Sequence, residues 1–328
     1  MWGAILGDIV GSAYERPGAA LGGDGLDFPL FTPESRFTDD TVLTVATADA
    51  LLRREGRMAE GAAKTDGPEE AERAASPPPK PAGHAAEPVP SPRPASGAPE
   101  GTPPSLMPAP ADAAEQYAKI YKQYYFRYPY AGYGELFRVW CLMPGLVAQE
   151  SYGNGGAMRV CPIGYAAATA EQAMEEAALS CRYTHRHPEG TAGAQAVALA
   201  VFLAREGCSK AELAARLSRR FGYDLSRPLR DIRPGFAFDA RAAYTVPPAL
   251  RAFLESDDVE SAIRLAVSLG GDSDTLACMA GGVAEAYYGP LPVSLRQQTA
   301  ARLDAPLRAV AEAFSARFLP PAGVRDGK

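Results

Sequence analysis

The stretch Gly270-Gly271-Asp272-Ser273-Asp274-Thr275 leads directly into apolar residues at helical spacing, over residues 276–288. A second acidic cluster, Thr38-Asp39-Asp40-Thr41, precedes another helical pattern at residues 42–52. A single Thr or Asp at a helix start is an ordinary N-cap that satisfies free N–H groups. Because a cap needs only one oxygen, the surplus carboxylates must repel each other or share a cation. Together the two clusters predict one site for a hard divalent ion, Mg²⁺ or Mn²⁺, rather than zinc.

Helical spacing of apolar residues also dominates the rest of the chain. Further predicted helices cover residues 113–125, 171–179, 192–205, 210–219, 248–254, 259–269 and 295–314. Hardly any segment alternates apolar and polar residues with a period of two, as a half-buried strand would. The sequence therefore predicts an all-α fold.

The composition changes abruptly between about residues 56 and 113. Pro, Ala, Glu, Ser and Gly replace the apolar periodicity there, as in Ser76-Pro77-Pro78-Pro79-Lys80-Pro81. Such a segment cannot bury enough apolar surface to order itself. We expect a disordered insertion over residues 56–112, with a Pro-rich docking site for a partner as the alternative. The folded domain would comprise residues 1–55 and 113–318, followed by a flexible tail over 319–328.

Charge and cysteine content narrow the class of protein. The chain has 328 residues and a formal net charge of −6, which argues against binding to nucleic-acid phosphates. Its five cysteines include no C-x-x-C pair, as expected for reduced thiols in a cytoplasm. No segment reads as a signal peptide or as an apolar run long enough to span a membrane. We expect a cytoplasmic monomer with neither nucleic-acid nor membrane partners.

Two glycine-containing stretches lie between the acidic clusters. They are Gly132-Tyr133-Gly134 and Ser151-Tyr152-Gly153-Asn154-Gly155-Gly156-Ala157-Met158-Arg159. Glycine lets backbone N–H groups approach a phosphate, and a hydroxyl and an amide add directional donors, so the second stretch could hold a diphosphate. A purely structural turn is the alternative. Without a G-K-[ST] ending or a preceding strand, the stretch is neither a P-loop nor a dinucleotide fingerprint.

Two histidines follow this loop, His185 and His187. They lack a third nitrogen or sulfur ligand at metal spacing, and no P-C-x-x-C follows, so neither a zinc site nor a zinc deaminase is predicted. We expect His185 to contact a ligand and His187 to begin a helix.

Four motifs in this order resemble the ADP-ribosylglycohydrolases, a family that includes the dinitrogenase reductase-activating glycohydrolases and the ADP-ribosyl-acceptor hydrolases. Residues 6–15, Leu-Gly-Asp-Ile-Val-Gly-Ser-Ala-Tyr-Glu, look like the opening helix of that family. Residues 38–41 and 267–275 are similar to its two metal motifs. Residues 151–159 are similar to its ADP-ribose-binding loop.

The resemblance implies a compact, mostly helical domain that holds two adjacent Mg²⁺ or Mn²⁺ ions. The matching metal ligands are Thr38, Asp39, Asp40, Asp272, Asp274 and Thr275. The positions implied to line the ADP-ribose groove are Gly132, Tyr133, Gly134, Ser151, Tyr152, Gly153, Asn154 and His185. For Tyr152, a core tyrosine at an exposed edge is the alternative.

The implied reaction is hydrolysis of the glycosidic bond that links ADP-ribose to an acceptor on a protein or a small molecule. Two cations bridged by Asp274 would fix the ribose hydroxyls and lower the pKa of a bound water. Asp39, Asp40 or Glu15 would transfer the proton. Glu15 matches an acidic residue that guards the entrance in serine-directed members, and a salt bridge to Arg16 or Arg36 is its alternative role.

Two features look closer to the members that release ADP-ribose from an oxygen, such as that of serine. They are the pair Tyr14-Glu15 and the loop at 151–156. An alkoxide leaving group needs protonation, so an extra carboxylate suits an oxygen acceptor. Three alternatives stay open: an arginine-directed hydrolase, a non-catalytic binder similar to the lens J-crystallins, and a phosphohydrolase that cuts the pyrophosphate and releases AMP.

Overall fold

Helices make up all the regular structure in a computed structural model of the chain, which describes residues 1–15, 25–65 and 111–319. Within these ranges no strand is present, and isolated bridges pair Glu150 with His185 and Gly153 with Arg241. The prediction of an all-α fold is thus confirmed. No helix in the described ranges is both long enough and apolar enough to cross a bilayer.

The helices follow one another with short connections. Those before the glycine-containing loop are α1 (Trp2–Gly11), α2 (Asp39–Thr65), α3 (Ala113–Arg127) and α4 (Glu135–Leu142). A short 3-10 turn (Asn154–Gly156) then precedes α5 (Cys161–Ala166), α6 (Ala170–Cys181), α7 (Pro188–Arg205), α8 (Lys210–Phe221) and α9 (Leu229–Ile232). The last five are α10 (Ala242–Glu255), α11 (Val259–Val267), α12 (Ser273–Tyr288), α13 (Val293–Ala300) and α14 (Ala305–Phe318).

Several predicted boundaries differ from the structure. Helix α1 ends at Gly11, so Glu15 follows the opening helix instead of closing it. Helix α10 begins at Ala242, six residues before the predicted start at Pro248, and it contains Pro247 and Pro248. The predicted helix over 295–314 is two helices. They are separated at Asp304, whose Oδ1 accepts from the Leu307 amide and caps α14.

The insertion and the tail predicted from composition lie largely outside the described residues. Helix α2 continues to Thr65, ten residues beyond the predicted end of the folded segment at 55. Residues 66–110 and 320–328 are outside the described ranges, so their predicted disorder stays a prediction.

Helix α12 lies at the centre of the hydrophobic core. All its residues from Ser273 to Ala286 are buried, as in a helix that is surrounded on every side. Helices α1, α7, α10 and α11 pack around it. Since the second acidic cluster lies at the start of α12, the core fixes one half of the candidate metal site.

Helices α1 and α12 pack backbone against backbone through glycines at every fourth residue of α1. A Cβ atom on Gly7 would lie 2.0 Å from the carbonyl oxygen of Ala277. At Gly3 it would lie 2.2 Å from the oxygen of Gly281, and at Gly11 2.5 Å from that of Ser273. No side chain fits at these three positions. This contact brings the end of α1, and with it Asp8, to the start of α12.

A buried ion pair closes the opposite end of the same two helices. The N-terminal ammonium group of Met1 contacts the Glu285 carboxylate, and both groups are almost completely buried. The Gly3 amide donates to the same carboxylate oxygen over 2.9 Å. Because both charges are removed from water, each depends on the other for compensation.

Candidate functional site

Asp8 of α1 caps the start of α2. Its Oδ2 accepts from the amides of Thr38 and Thr41 over 2.9 and 3.0 Å, and its Oδ1 accepts from the Thr38 hydroxyl over 2.6 Å. The cap of α2 is therefore supplied by another helix, which leaves the Asp39 and Asp40 carboxylates available for another role. Sequence reasoning gave Asp8 no role. The sequence feature that could have indicated a role is that Asp8 is the single acidic residue in the otherwise apolar segment 1–11.

The second acidic cluster begins α12 after a tight turn. Gly270 and Gly271 both have positive φ, 71° and 67°, which other residues rarely adopt. The amide Nδ2 of Asn154 donates to Asp272 Oδ2 over 2.7 Å. Thr275 Oγ1 donates to Asp40 Oδ2 over 3.2 Å, so the two clusters, 235 residues apart, are in direct contact.

The carboxylates form two overlapping groups. Oxygens of Asp8, Asp40 and Asp274 lie within 4.8 Å of one another, and so do oxygens of Glu15, Asp272 and Asp274. Asp274 belongs to both groups. Burial raises the pKa of the Asp40 carboxyl well above its usual range, and the neighbouring Asp274 raises it further. Burial and then Asp272 act in the same direction on the pKa of Asp274.

These residues fit a hard divalent cation. Asp40 Oδ1 and Thr41 Oγ1 are buried and have no hydrogen-bond partner. None of the ion pairs formed by the described residues includes a carboxylate of this site, that is, of Asp8, Asp39, Asp40, Asp272 or Asp274. Buried carboxylates without a counter-charge are costly, and a cation with oxygen ligands compensates them.

The carboxylates lie in a cleft of about 640 Å³. All but one of the predicted site residues line it: Glu15, Thr38, Asp39, Asp40, Gly132, Gly134, Ser151, Tyr152, Gly153, Asn154, His185, Asp272, Asp274 and Thr275. Tyr133 is not among the lining residues. Its ring is buried between Tyr125 and Phe137, at centroid distances of 5.1 and 5.4 Å. The fold thus places Tyr133 in an aromatic cluster behind the cleft wall.

The glycine-containing loop at 151–156 is held by its own donors. Ser151 Oγ accepts from the Gly153 amide over 3.1 Å, and the Asn154 amide N–H donates to the Ala240 carbonyl over 2.7 Å. A Cβ atom on Gly155 would lie 3.1 Å from His185 Nε2, so glycine permits the loop to pass over that ring. The Asn154 side chain donates to Asp272, and its predicted contact with a ligand stays a prediction.

His185 lies beneath this loop and is buried. Its Nδ1 is 3.0 Å from the Thr184 hydroxyl, which also accepts from Arg159 Nη2 over 2.6 Å. Burial and the adjacent Arg159 guanidinium lower the pKa of His185 well below its usual range, so the ring is neutral. Arg159, whose guanidinium lies 4.2 Å from the centre of the Tyr121 ring, had no predicted role. His187 caps α7, which confirms its prediction as a helix-entry residue.

Glu15 lies exposed at the edge of the cleft. Partial burial and the nearby Asp272 raise the pKa of its carboxyl, whereas Arg36 opposes the shift. Glu15 and Arg36 form no ion pair, so that alternative role is not supported, and Arg16 lies outside the described residues. Tyr152, which also lines the cleft, is 51% exposed and meets the His187 ring edge-on.

Comparison with known proteins points to one family. The family model for ADP-ribosylglycohydrolases matches residues 1–322. The chain is 32% identical over 184 residues to ADP-ribosylhydrolase ARH3 of Homo sapiens, a match that covers 42% of this chain and 51% of that protein. It is 30% identical over 185 residues to ADP-ribosylhydrolase ARH3 of Mus musculus, covering 42% and 50%. The chain thus spans about half the length of these relatives.

One solved structure shares the fold over nearly the whole chain. It is described as an ADP-ribosylglycohydrolase-related protein complex, with a TM-score of 0.53, 24% sequence identity and 97% of each chain covered. At that identity the match supports the helical fold.

Proposed function

The chain belongs to the ADP-ribosylglycohydrolase family, and on that premise we propose that it hydrolyses the glycosidic bond between ADP-ribose and an acceptor. One observation carries the proposal: two acidic clusters from opposite ends of the chain meet in one cleft. There Asp274 belongs to both sets of three neighbouring carboxylates. A non-catalytic binder has no evident need for so many uncompensated carboxylates. We further propose a cytoplasmic monomer, whose five unpaired cysteines are typical of reduced thiols in a cytoplasm.

The proposed cofactor is a pair of Mg²⁺ ions, or Mn²⁺, held by Thr38, Asp39, Asp40, Asp272, Asp274 and Thr275. When bound, such ions supply Lewis acidity and lower the pKa of a water molecule toward neutrality. The chain's own residues set the geometry of the ligands. Asp8 holds the first cluster by three hydrogen bonds, and Asn154 orients the Asp272 carboxylate. The Thr38 hydroxyl donates its proton to Asp8 and accepts from the Asp40 amide, so its oxygen keeps one lone pair that could bind an ion.

Glu15 is the proposed proton donor to the leaving group, with Asp39 and Asp40 as the other candidates for proton transfer. Its pKa is raised by partial burial and by Asp272, so its carboxyl retains a proton to a higher pH than a free glutamate. Glu15 lies at the edge of the cleft, where the acceptor would leave. An alkoxide requires a proton in the transition state, which favours O-linked substrates such as ADP-ribosylated serine.

The neutral His185 and the exposed Tyr152 complete the proposed ADP-ribose groove. A neutral imidazole in the cleft wall can exchange hydrogen bonds with ribose or amide groups without adding charge. An exposed aromatic ring at the cleft edge offers a face for the adenine base. Arginine is the second candidate acceptor, because the same metal site would serve both linkages.

The proposal is tested with two peptides of matched sequence, one ADP-ribosylated on serine and the other on arginine. We expect release of intact ADP-ribose from the serine peptide at the higher kcat/KM, and no release after chelation of divalent ions. AMP as the product would instead show cleavage of the pyrophosphate. Equal or faster hydrolysis of the arginine peptide would contradict the serine assignment.

The role of Glu15 is tested with Glu15→Gln, which keeps the size of the side chain and removes the proton-transfer group. General acid catalysis contributes about 10²–10⁴-fold, and we expect a decrease of kcat in that range. Glu150→Gln, a change at an exposed glutamate outside the cleft lining, is the matched control. Unchanged kcat in Glu15→Gln on both peptides would refute this role.

A further inference from the structure

Exposed apolar side chains are concentrated beside the cleft. Of the ten large apolar residues that are exposed in the described part of the chain, seven lie between residues 126 and 147. Six of these form what we call the apolar rim: Phe126, Tyr130, Leu136, Val139, Leu142 and Met143. Single exposed apolar residues need no explanation, but a group on one surface marks an interaction site.

Helix α4 carries most of the apolar rim on one face. Its residues Phe137 and Trp140 are buried in the core. Leu136 and Val139 of α4, and Met143 directly after its end, recur at intervals of three and four residues beside this buried face. These side chains are between 40% and 61% exposed. Helix α4 thus exposes apolar side chains in addition to those that it buries, next to the exposed charges of Glu135 and Arg138.

The backbone beneath the apolar rim is firmly held. Lys122 of α3 donates from Nζ to the carbonyl oxygens of Met143 and Gly145 over 2.6 and 2.8 Å. The indole N–H of Trp140 donates to the Val147 carbonyl over 2.8 Å. Phe126 lies one turn after Lys122 on α3 and therefore faces the same side. The apolar side chains are exposed on an ordered scaffold, which lowers the entropic cost of binding a partner.

The apolar rim is continuous with the cleft. Tyr130, 98% exposed, and Leu136, 61% exposed, belong to both the rim and the cleft lining. Elsewhere the cleft lining includes the ion pair between Arg241 and Asp239 and two further exposed aromatic side chains, Tyr152 and Phe238. A polypeptide whose modified side chain enters the cleft beside Tyr130 and Leu136 would lie across the apolar rim.

We propose that the apolar rim binds the polypeptide that carries the ADP-ribose, through apolar side chains next to the modified residue; this inference rests on the proposed function. The exposed charges on α4, Glu135 and Arg138, have opposite signs, so the surface offers apolar contact rather than selection for a charged sequence. The preferred substrate class is a protein segment with large apolar residues around the modified serine.

The test compares three substrates: free ADP-ribosylserine, a peptide with leucines on both sides of the modified serine, and the same peptide with glycines there. We expect wild-type kcat/KM to be about tenfold higher for the leucine peptide than for the glycine peptide. The double variant Val139→Asp/Leu142→Asp changes rim residues outside the cleft lining and should remove that difference. It should leave hydrolysis of free ADP-ribosylserine unchanged. Val293→Asp, a change at an exposed valine of α13, is the matched control and should keep the preference.

Each other result overturns the inference. If wild type cleaves free ADP-ribosylserine but treats both peptides alike, the rim does not bind the acceptor while the proposed function stands. If none of the three substrates is cleaved, the proposed function fails and the inference with it. If the double variant converts a dimer to a monomer in light scattering and keeps the leucine preference, the rim is a contact between two copies of the chain.

Discussion

The substitution Gly7→Ala tests whether the contact between α1 and α12 sets the geometry of the fold and the site. The new Cβ would lie 2.0 Å from the Ala277 carbonyl oxygen, whereas ordinary contacts begin at 3.4 Å. The two helices must therefore separate by about 1.4 Å, and because both surfaces are backbone, no side-chain rotation relieves the clash. Overpacking costs ~1–3 kcal/mol, and we expect the upper end of that range here.

A gain in helix propensity opposes this cost. Alanine is favoured over glycine inside a helix by ~1 kcal/mol, which leaves a net destabilisation of about 2 kcal/mol. For a domain of this size the melting temperature should fall by about 4–8 °C. Gly56→Ala in α2 is the matched control, since no heavy atom lies within 4 Å of its new Cβ. It should raise the melting temperature slightly. If Gly7→Ala is as stable as wild type, the close packing of α1 on α12 is wrong.

Three further predictions concern single side chains. Asp274→Asn should lower kcat by about 10³-fold or more and reduce bound metal measured by elemental analysis, because it removes the shared carboxylate; full turnover with wild-type metal content would contradict the site. Asn154→Ala should weaken Mg²⁺ affinity by about 10–100-fold in calorimetry, since Asp272 loses its orienting donor; unchanged affinity would argue against that role. Glu285→Gln should destabilise the protein by about 3–5 kcal/mol in urea unfolding, because the buried Met1 ammonium loses its partner. Glu150→Gln breaks the exposed pair of Glu150 and Arg186 and should lower the free energy of unfolding far less. Equal losses of unfolding free energy in the two variants would refute the comparison.

The sequence was sufficient for the features that depend on local patterns. Helical spacing predicted the all-α class, and hydroxyl and carboxylate residues at two helix starts predicted the clusters that meet in the cleft. Features that depend on long-range packing were not predictable. Glycines at every fourth residue read as weak helix formers, and only the partner backbone of α12 shows that they allow close contact. For the same reason Asp8 looked like part of an apolar helix, although it caps α2.

Asn154 and Tyr133 show a second limit. Both belong to stretches with the composition of a binding loop, and the stretches do border the cleft. Within such a stretch, sequence does not reveal which side chain is already committed to a partner. Asn154 is committed to Asp272 and Tyr133 to neighbouring rings, and both assignments depend on residues distant in the chain.

The pairing of α1 with α12 also has a consequence for synthesis of the protein. Ser273 donates to the Gly11 carbonyl across 262 residues of sequence. At ~5–20 residues per second, α1 would wait about 13–52 s on a ribosome before its partner helix is made. During that time the face of α1 that carries Gly3, Gly7 and Gly11 has no native partner on α12. Truncated chains that end before α12 should therefore keep this face of α1 uncovered and aggregate, which sedimentation would detect.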